Sequence, residues 1–258
     1  RDYTNADIDD FIVNYTKSTG VLVITPDGTN MALKSDFQTL VRGITYNNLQ
    51  DRPNATTSST PKDGTRTITI TATDAGLDDA SNSGESASSM SIILNINSTN
   101  DQPIISNLNN VTFLENTVNS TPQRLDTNVT VTDVDSNSYV GGNLLITGGL
   151  TKDTLSLSTT KEGSSPWVTR SGDKVYYQGG NSGRTELIGT VDQAFNGVNG
   201  SNLKIIFNTT GSYPSIHFMD DLIESLTYSN SSNTPTPSRT LSISLNDGDG
   251  NTVQSTNI

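Results

Sequence analysis

Asp133-Val134-Asp135 is the first spacing in the chain that suggests chemistry. It follows an expected strand over Val129 to Val131. Side chains two apart on a strand point the same way, so both carboxylates face one side. Other oxygen donors recur at element ends. They are Glu115 in Phe113-Leu114-Glu115-Asn116, Asn100 and Asp101 before Pro103, Asp74 in Asp74-Ala75-Gly76, and Asp247 and Asp249 in Asp247-Gly248-Asp249-Gly250. Calcium takes roughly six to eight such oxygens from carboxylates, amides and backbone carbonyls. Ca2+ is therefore the expected cofactor, although a single Asp at such a place is also an ordinary turn former. Asp78 and Asp79 stand near Asp74 as further donors. The Asp247 segment has the start of an EF-hand loop but lacks its closing Glu.

Catalytic groupings are scarce. The single histidine, His217, falls on an expected short helix, and no G-x-S-x-G or S-x-x-K motif accompanies it. Nothing marks two of the 27 acids as a glycosidase pair. The chain reads as a non-enzyme. Trp167, Tyr176 and Tyr177 are candidates for an aromatic platform for sugar or peptide, with core and cross-strand packing as the alternative.

Composition narrows the classes further. The net charge is −12, from 27 acids against 15 bases, which repels nucleic acid and anionic lipid and attracts divalent cations. There is no cysteine, so disulfides, zinc thiolates and cysteine nucleophiles are excluded. No apolar run approaches the roughly 20 residues of a membrane helix, so no membrane insertion is expected in this segment. Apolar residues make up 31% of the chain, yet Val/Ile/Leu runs recur at strand length. Thin cores with polar outer faces follow. Sequons at Asn14, Asn54, Asn119 and Asn208 are compatible with glycosylation.

The elements that must position these donors appear twice. Asp36-Phe37-Gln38-Thr39-Leu40-Val41-Arg42-Gly43-Ile44-Thr45-Tyr46-Asn47-Asn48 resembles Phe218-Met219-Asp220-Asp221-Leu222-Ile223-Glu224-Ser225-Leu226-Thr227-Tyr228-Ser229-Asn230. Both copies continue through a Pro-containing loop to an alternating segment, Arg66-Thr67-Ile68-Thr69-Ile70-Thr71 or Arg239-Thr240-Leu241-Ser242-Ile243-Ser244-Leu245. Each ends at an acidic turn, and Val21 to Thr25 corresponds upstream to Leu203 to Phe207. The order is strand, short helix, strand, loop, strand, acidic turn. The short helices are expected over Asp36 to Arg42 and Ser215 to Ser225. Further strands are expected over Met90 to Ile96, Ile104 to Ile105 and Val111 to Leu114. Proline at 103 ends one unit, giving domains 1–99 and 100–258. By this alignment the first unit lacks opening strands and the second stops before the strand equivalent to Met90 to Ile96. Such ends fit either a window cut from a longer array or a filament subunit completed by strands of neighbouring copies.

Taken in order, Asn100-Asp101-Gln102-Pro103, Glu115 and Asp133-Val134-Asp135 resemble the calcium motifs of cadherins. The whole chain is similar to cadherin-like tandem repeats of giant bacterial surface proteins, most clearly over 97–258. The linker departs from the pattern, with Ser98 and Gln102 where cadherins have Asp and Asn. The resemblance implies an all-β fold of tandem Greek-key, Ig/cadherin-like β-sandwiches with a short helical turn in each repeat. It also implies an extracellular, cell-surface location and interdomain calcium that stiffens the array. The expected function is a calcium-stiffened structural module, a stalk or an assembly subunit. The alternative is an adhesin module that grips a surface glycan or protein through its loops. The expected partners are neighbouring repeats or copies of the same protein, joined by strand complementation in the filament case.

Overall fold

The computed structural model describes residues 11–27, 34–48, 64–73, 88–97, 99–159, 167–179, 184–209, 214–249 and 254–257. The chain divides into two compact units, Arg1–Leu49 and Gln50–Ile258. They separate well before the boundary expected at 99/100. Asn100 and Asp101 are hydrogen-bonded to residues far downstream, within the expected second domain.

In the smaller unit, β1 (Phe11–Thr16) and β2 (Val21–Pro26) form an antiparallel hairpin. Its turn closes with Gly20 N–H on the Thr16 carbonyl, at a Gly20 φ of 68°. Helix α1 (Lys34–Gly43) contains the segment expected to be helical. Asp36 lies in its first turn and Arg42 in its last, both favourable to the helix dipole. Phe37 meets Phe11 edge to face at 4.8 Å between ring centroids.

The larger unit is all-β with short helices, and every strand pairing among the described residues is antiparallel. It opens with a two-stranded ribbon, β3 (Gly64–Ala72) and β4 (Ser88–Ile96). Next come β5 (Ile104–Ser106), α2 (Glu115–Ser120), β6 (Gln123–Arg124), β7 (Thr130–Thr132), β8 (Asn143–Thr147) and β9 (Asp153–Leu157). Then follow β10 (Trp167–Ser171), β11 (Lys174–Gly179), β12 (Arg184–Asn196) and β13 (Leu203–Phe207). A 3-10 turn at Ile216–Phe218 runs into α3 (Met219–Glu224), before β14 (Leu226–Asn230), β15 (Ser242–Asn246) and β16 (Gln254–Asn257). One sheet has the order β10-β11-β12-β13-β8-β15-β16. A second has β6-β14-β9, and β5 pairs with β7.

One apolar core joins the two larger sheets. Alternation supplies it: Leu144 and Ile146 of β8, Leu203, Ile205 and Phe207 of β13, and Ile243 and Leu245 of β15 are all buried. Leu155 and Leu157 of β9, Leu226 of β14 and Leu222 and Ile223 of α3 join the same cluster. Each such side chain contributes roughly 1.5–3 kcal/mol by leaving water.

Three expectations need correction. Residues 111–114 form no strand, and α2 starts at Glu115 instead. Residues 44–48 are not a strand either, whereas their second copy is β14. β14 is held by ladders to β6 and β9, and among the described residues the first copy has no such neighbours. Finally, the second repeat does include a strand where none was expected, since β16 pairs with β15 as β4 pairs with β3.

Candidate cation site

Two acidic turns meet at one end of the seven-stranded sheet. The first, residues 133–136, follows β7. Asp133 Oδ1 accepts the N–H of Asp135 at 3.2 Å and of Ser136 at 2.9 Å, the Asx geometry natural to Asp in a turn. The second turn, residues 246–249, follows β15. Asp247 Oδ1 accepts the Asp249 N–H at 3.0 Å, and Asn246 Oδ1 accepts that of Gly248 at 3.0 Å.

The β8–β15 ladder starts at Asn143↔Asn246, so the loops before β8 and after β15 must lie together. Glycine lets them approach. A Cβ on Gly142 would collide with the Asn246 carbonyl. Gly248 sits at φ 90°, and a Cβ there would collide with the Val140 carbonyl. Ser136 Oγ then reaches Asp249 Oδ2 at 3.4 Å.

The segment leading from β4 into β5 is bonded to both turns. Asn100 Nδ2 donates to Asp247 Oδ2 at 2.9 Å, and the Asp101 N–H donates to Asp135 Oδ2 at 2.9 Å. Asp135 and Asp247 are buried, Asp133 and Asn100 half-buried, Asp101 and Asp249 exposed. The second oxygen of Asp135, Oδ1, is buried and has no hydrogen-bond partner among the described residues. A buried carboxylate oxygen left unpaired is costly, because nothing replaces the water it gave up.

The electrostatics match this crowding. Burial, then the neighbouring Asp135 carboxylate, push Asp133 up to about 6 against the opposing N–H groups of Ser136 and Asp135. Tyr139, fully buried, donates its hydroxyl to Asp133 Oδ2 at 3.4 Å. Burial and then the charges of Asp133, Asp247 and Asp220 push its phenol strongly up, so it stays a donor.

Of the donors read from the sequence, Asn100, Asp101, Asp133, Asp135, Asp247 and Asp249 come together here. Glu115 does not. It is exposed at the head of α2, which packs on β14, and its carboxylate has no hydrogen bond or ion pair among the described residues. Asp74, Asp78 and Asp79 lie outside the described residues. Among the described residues, no three His, Cys, Asp or Glu side chains are arranged as a ready metal set. The donors present instead are two Asp turns and an Asn-Asp segment, hard oxygen ligands of the kind calcium takes. Sequence reading missed Ser136 and Tyr139 as parts of the site; hydroxyls one and four residues after Asp135 were the available signal. It gave no role to the acids of α3, where burial, then Glu224 and Asp220, push Asp221 up to about 6.

The three aromatic candidates do not form one platform. Tyr177 is buried and stacks on Phe218 at 3.8 Å between centroids, so it belongs to the core. Trp167 pairs with Gln178 and Tyr176 with Thr169, which puts Trp167 and Tyr176 half-buried on the opposite face from Tyr177. His217 stands in the 3-10 turn before α3.

No family model, curated protein or solved structure matches the chain.

Proposed function

We propose that this chain is a calcium-stiffened structural repeat module of a large extracellular protein, with its sheets arranged as Greek-key sandwiches of the cadherin-like kind. The observation that carries the reading is the buried, unpartnered Oδ1 of Asp135 between two acidic turns. Asp135, Asp133 and Asp247 would supply carboxylate oxygens, with Asn100 and Asp101 from the preceding segment. A bound cation would neutralise their mutual repulsion and fix the segment before β5 to both turns. The net charge of −12 favours cation capture. With no cysteine in the chain, disulfides cannot supply cross-links.

The test is a calcium titration followed by thermal melting. Calcium should raise the melting temperature, with about 2.7 kcal/mol gained at one hundred times the dissociation constant. Asp135→Asn should lose most of that gain. A melting temperature indifferent to calcium rejects the reading.

A further inference from the structure

β7 is three residues long, yet it delivers Asp133 and Asp135 to the acidic turn. What holds β7 therefore decides where that turn lies. One edge of the strand pairs with β5, through Ile104↔Thr132, Ile105↔Val131 and Ser106↔Thr130. Toward α3 the backbone is held by side chains. The Val131 N–H donates to Asp220 Oδ1 at 2.6 Å, and the Val129 N–H hydrogen-bonds to the Glu224 carboxylate. Val129 and Val131 are buried, where a backbone N–H needs a partner.

The two elements match in spacing. N–H groups two residues apart on an extended segment point to one edge and lie roughly 6.6 Å apart. Side chains four residues apart on a helix share one face, and the helix rises about 6 Å between them. Asp220 and Glu224 have that spacing on α3, so two carboxylates meet two N–H groups, with helix and strand running in opposite directions. Met219, Leu222 and Ile223 anchor α3 in the apolar core, which gives the carboxylates a fixed base.

We infer that Asp220, with Glu224 beside it, is a positioning residue for the acidic turn at 133–136. It acts by a hydrogen bond to the β7 backbone and not by its charge, so that Asp133 and Asp135 are set in place before a cation binds. The benefit to a cation rests on the calcium proposal, whereas the placement of the turn stands apart from it.

The experiment follows amide exchange in the calcium-free full chain, at the Asp135 and Ser136 N–H groups that Asp133 Oδ1 accepts. Asp220→Ala should speed exchange there about tenfold while the amides of β8 and β13 keep their protection. Asp220→Asn retains an oxygen for the Val131 N–H and should exchange like the parent chain. Glu224→Ala should also speed exchange, and it replaces Asp220→Ala if that variant does not fold. Unchanged exchange in the folded alanine variant overturns the inference. Equal acceleration in Asp220→Asn overturns it too, because the charge is then the active property. Calcium-dependent melting of the same variants reads the effect on the cation. Groups that orient metal ligands are worth roughly 10–100-fold in affinity, so Asp220→Ala should need about tenfold more calcium and Asp220→Asn no more than the parent. An unaltered calcium response in Asp220→Ala overturns the role at the cation site. A parent chain indifferent to calcium rejects the calcium proposal instead, and the exchange result still decides the placement of the turn.

Discussion

Asp133, half-buried, and Asp153, fully buried, set opposite pH limits on one fold. Asp133 is raised to about 6, above its ordinary value, so the folded protein keeps its proton where the unfolded chain has lost it. The stability it contributes is fully present below about pH 4 and is lost as pH rises through about 6. Burial raises Asp153 too, but the Arg239 ion pair at 2.8 Å and the hydrogen bonds from Tyr228, the Leu150 N–H and Asn230 outweigh it, holding the group at about 2. Its contribution is present above about pH 4 and is lost as pH falls toward 2. Without calcium, melting temperature should therefore peak between about pH 4 and 5. Asp133→Asn should flatten the high-pH side and leave a residual slope from Asp221. A calcium-free melting temperature that climbs steadily from pH 5 to 7 would contradict this assignment. Asp153→Ala strands Arg239, which also donates to the Thr236 carbonyl, and should cost about 3–5 kcal/mol in urea unfolding. The acidic turns were legible in the sequence because Asp at a strand end has a distinct chemistry. Asp153 was not, because its role depends on Tyr228, Asn230 and Arg239, residues some 75 to 86 positions away.

At the level of elements, period and repetition located α1, α3, β13 and β15, whose apolar positions recur in both copies. They failed at residues 44–48 and 111–114. A strand needs a neighbour for its backbone, and that neighbour is not encoded in the strand itself. Glu115 illustrates the cost: read as the end of a strand, it heads a six-residue helix and stays away from the acidic turns. The meeting of the loops at 140–142 and 246–248 was equally hidden, although its glycines were in plain view. Gly248→Ala should strain a backbone at φ 90° and push against Val140. The expected cost is on the order of 1–3 kcal/mol, with a weaker melting response to calcium. Circular dichroism melts with and without calcium read both effects. An unchanged calcium response would show that loop contact is not needed for the site.

The molecule as a whole is two compact units, and its all-β class followed from the short apolar runs and turn residues of the sequence. Asn100 and Asp101, just before Pro103, are bonded to Asp247 and Asp135, contacts that the sequence did not reveal. That bonding has a kinetic consequence. The site joins residues near 100, 134 and 248, and its loops touch only once β8 and β15 are paired. Contacts so distant along the chain are costly to close and form late. A cation held there would recognise the finished structure and not the barrier that leads to it. In stopped-flow experiments calcium should slow unfolding while leaving the refolding rate nearly unchanged. Refolding that accelerates with calcium would place the acidic turns in the folding nucleus. If the refolding rate is indeed unchanged, a bound ion would act as a latch: it would govern how long the fold lasts, not how fast it is made.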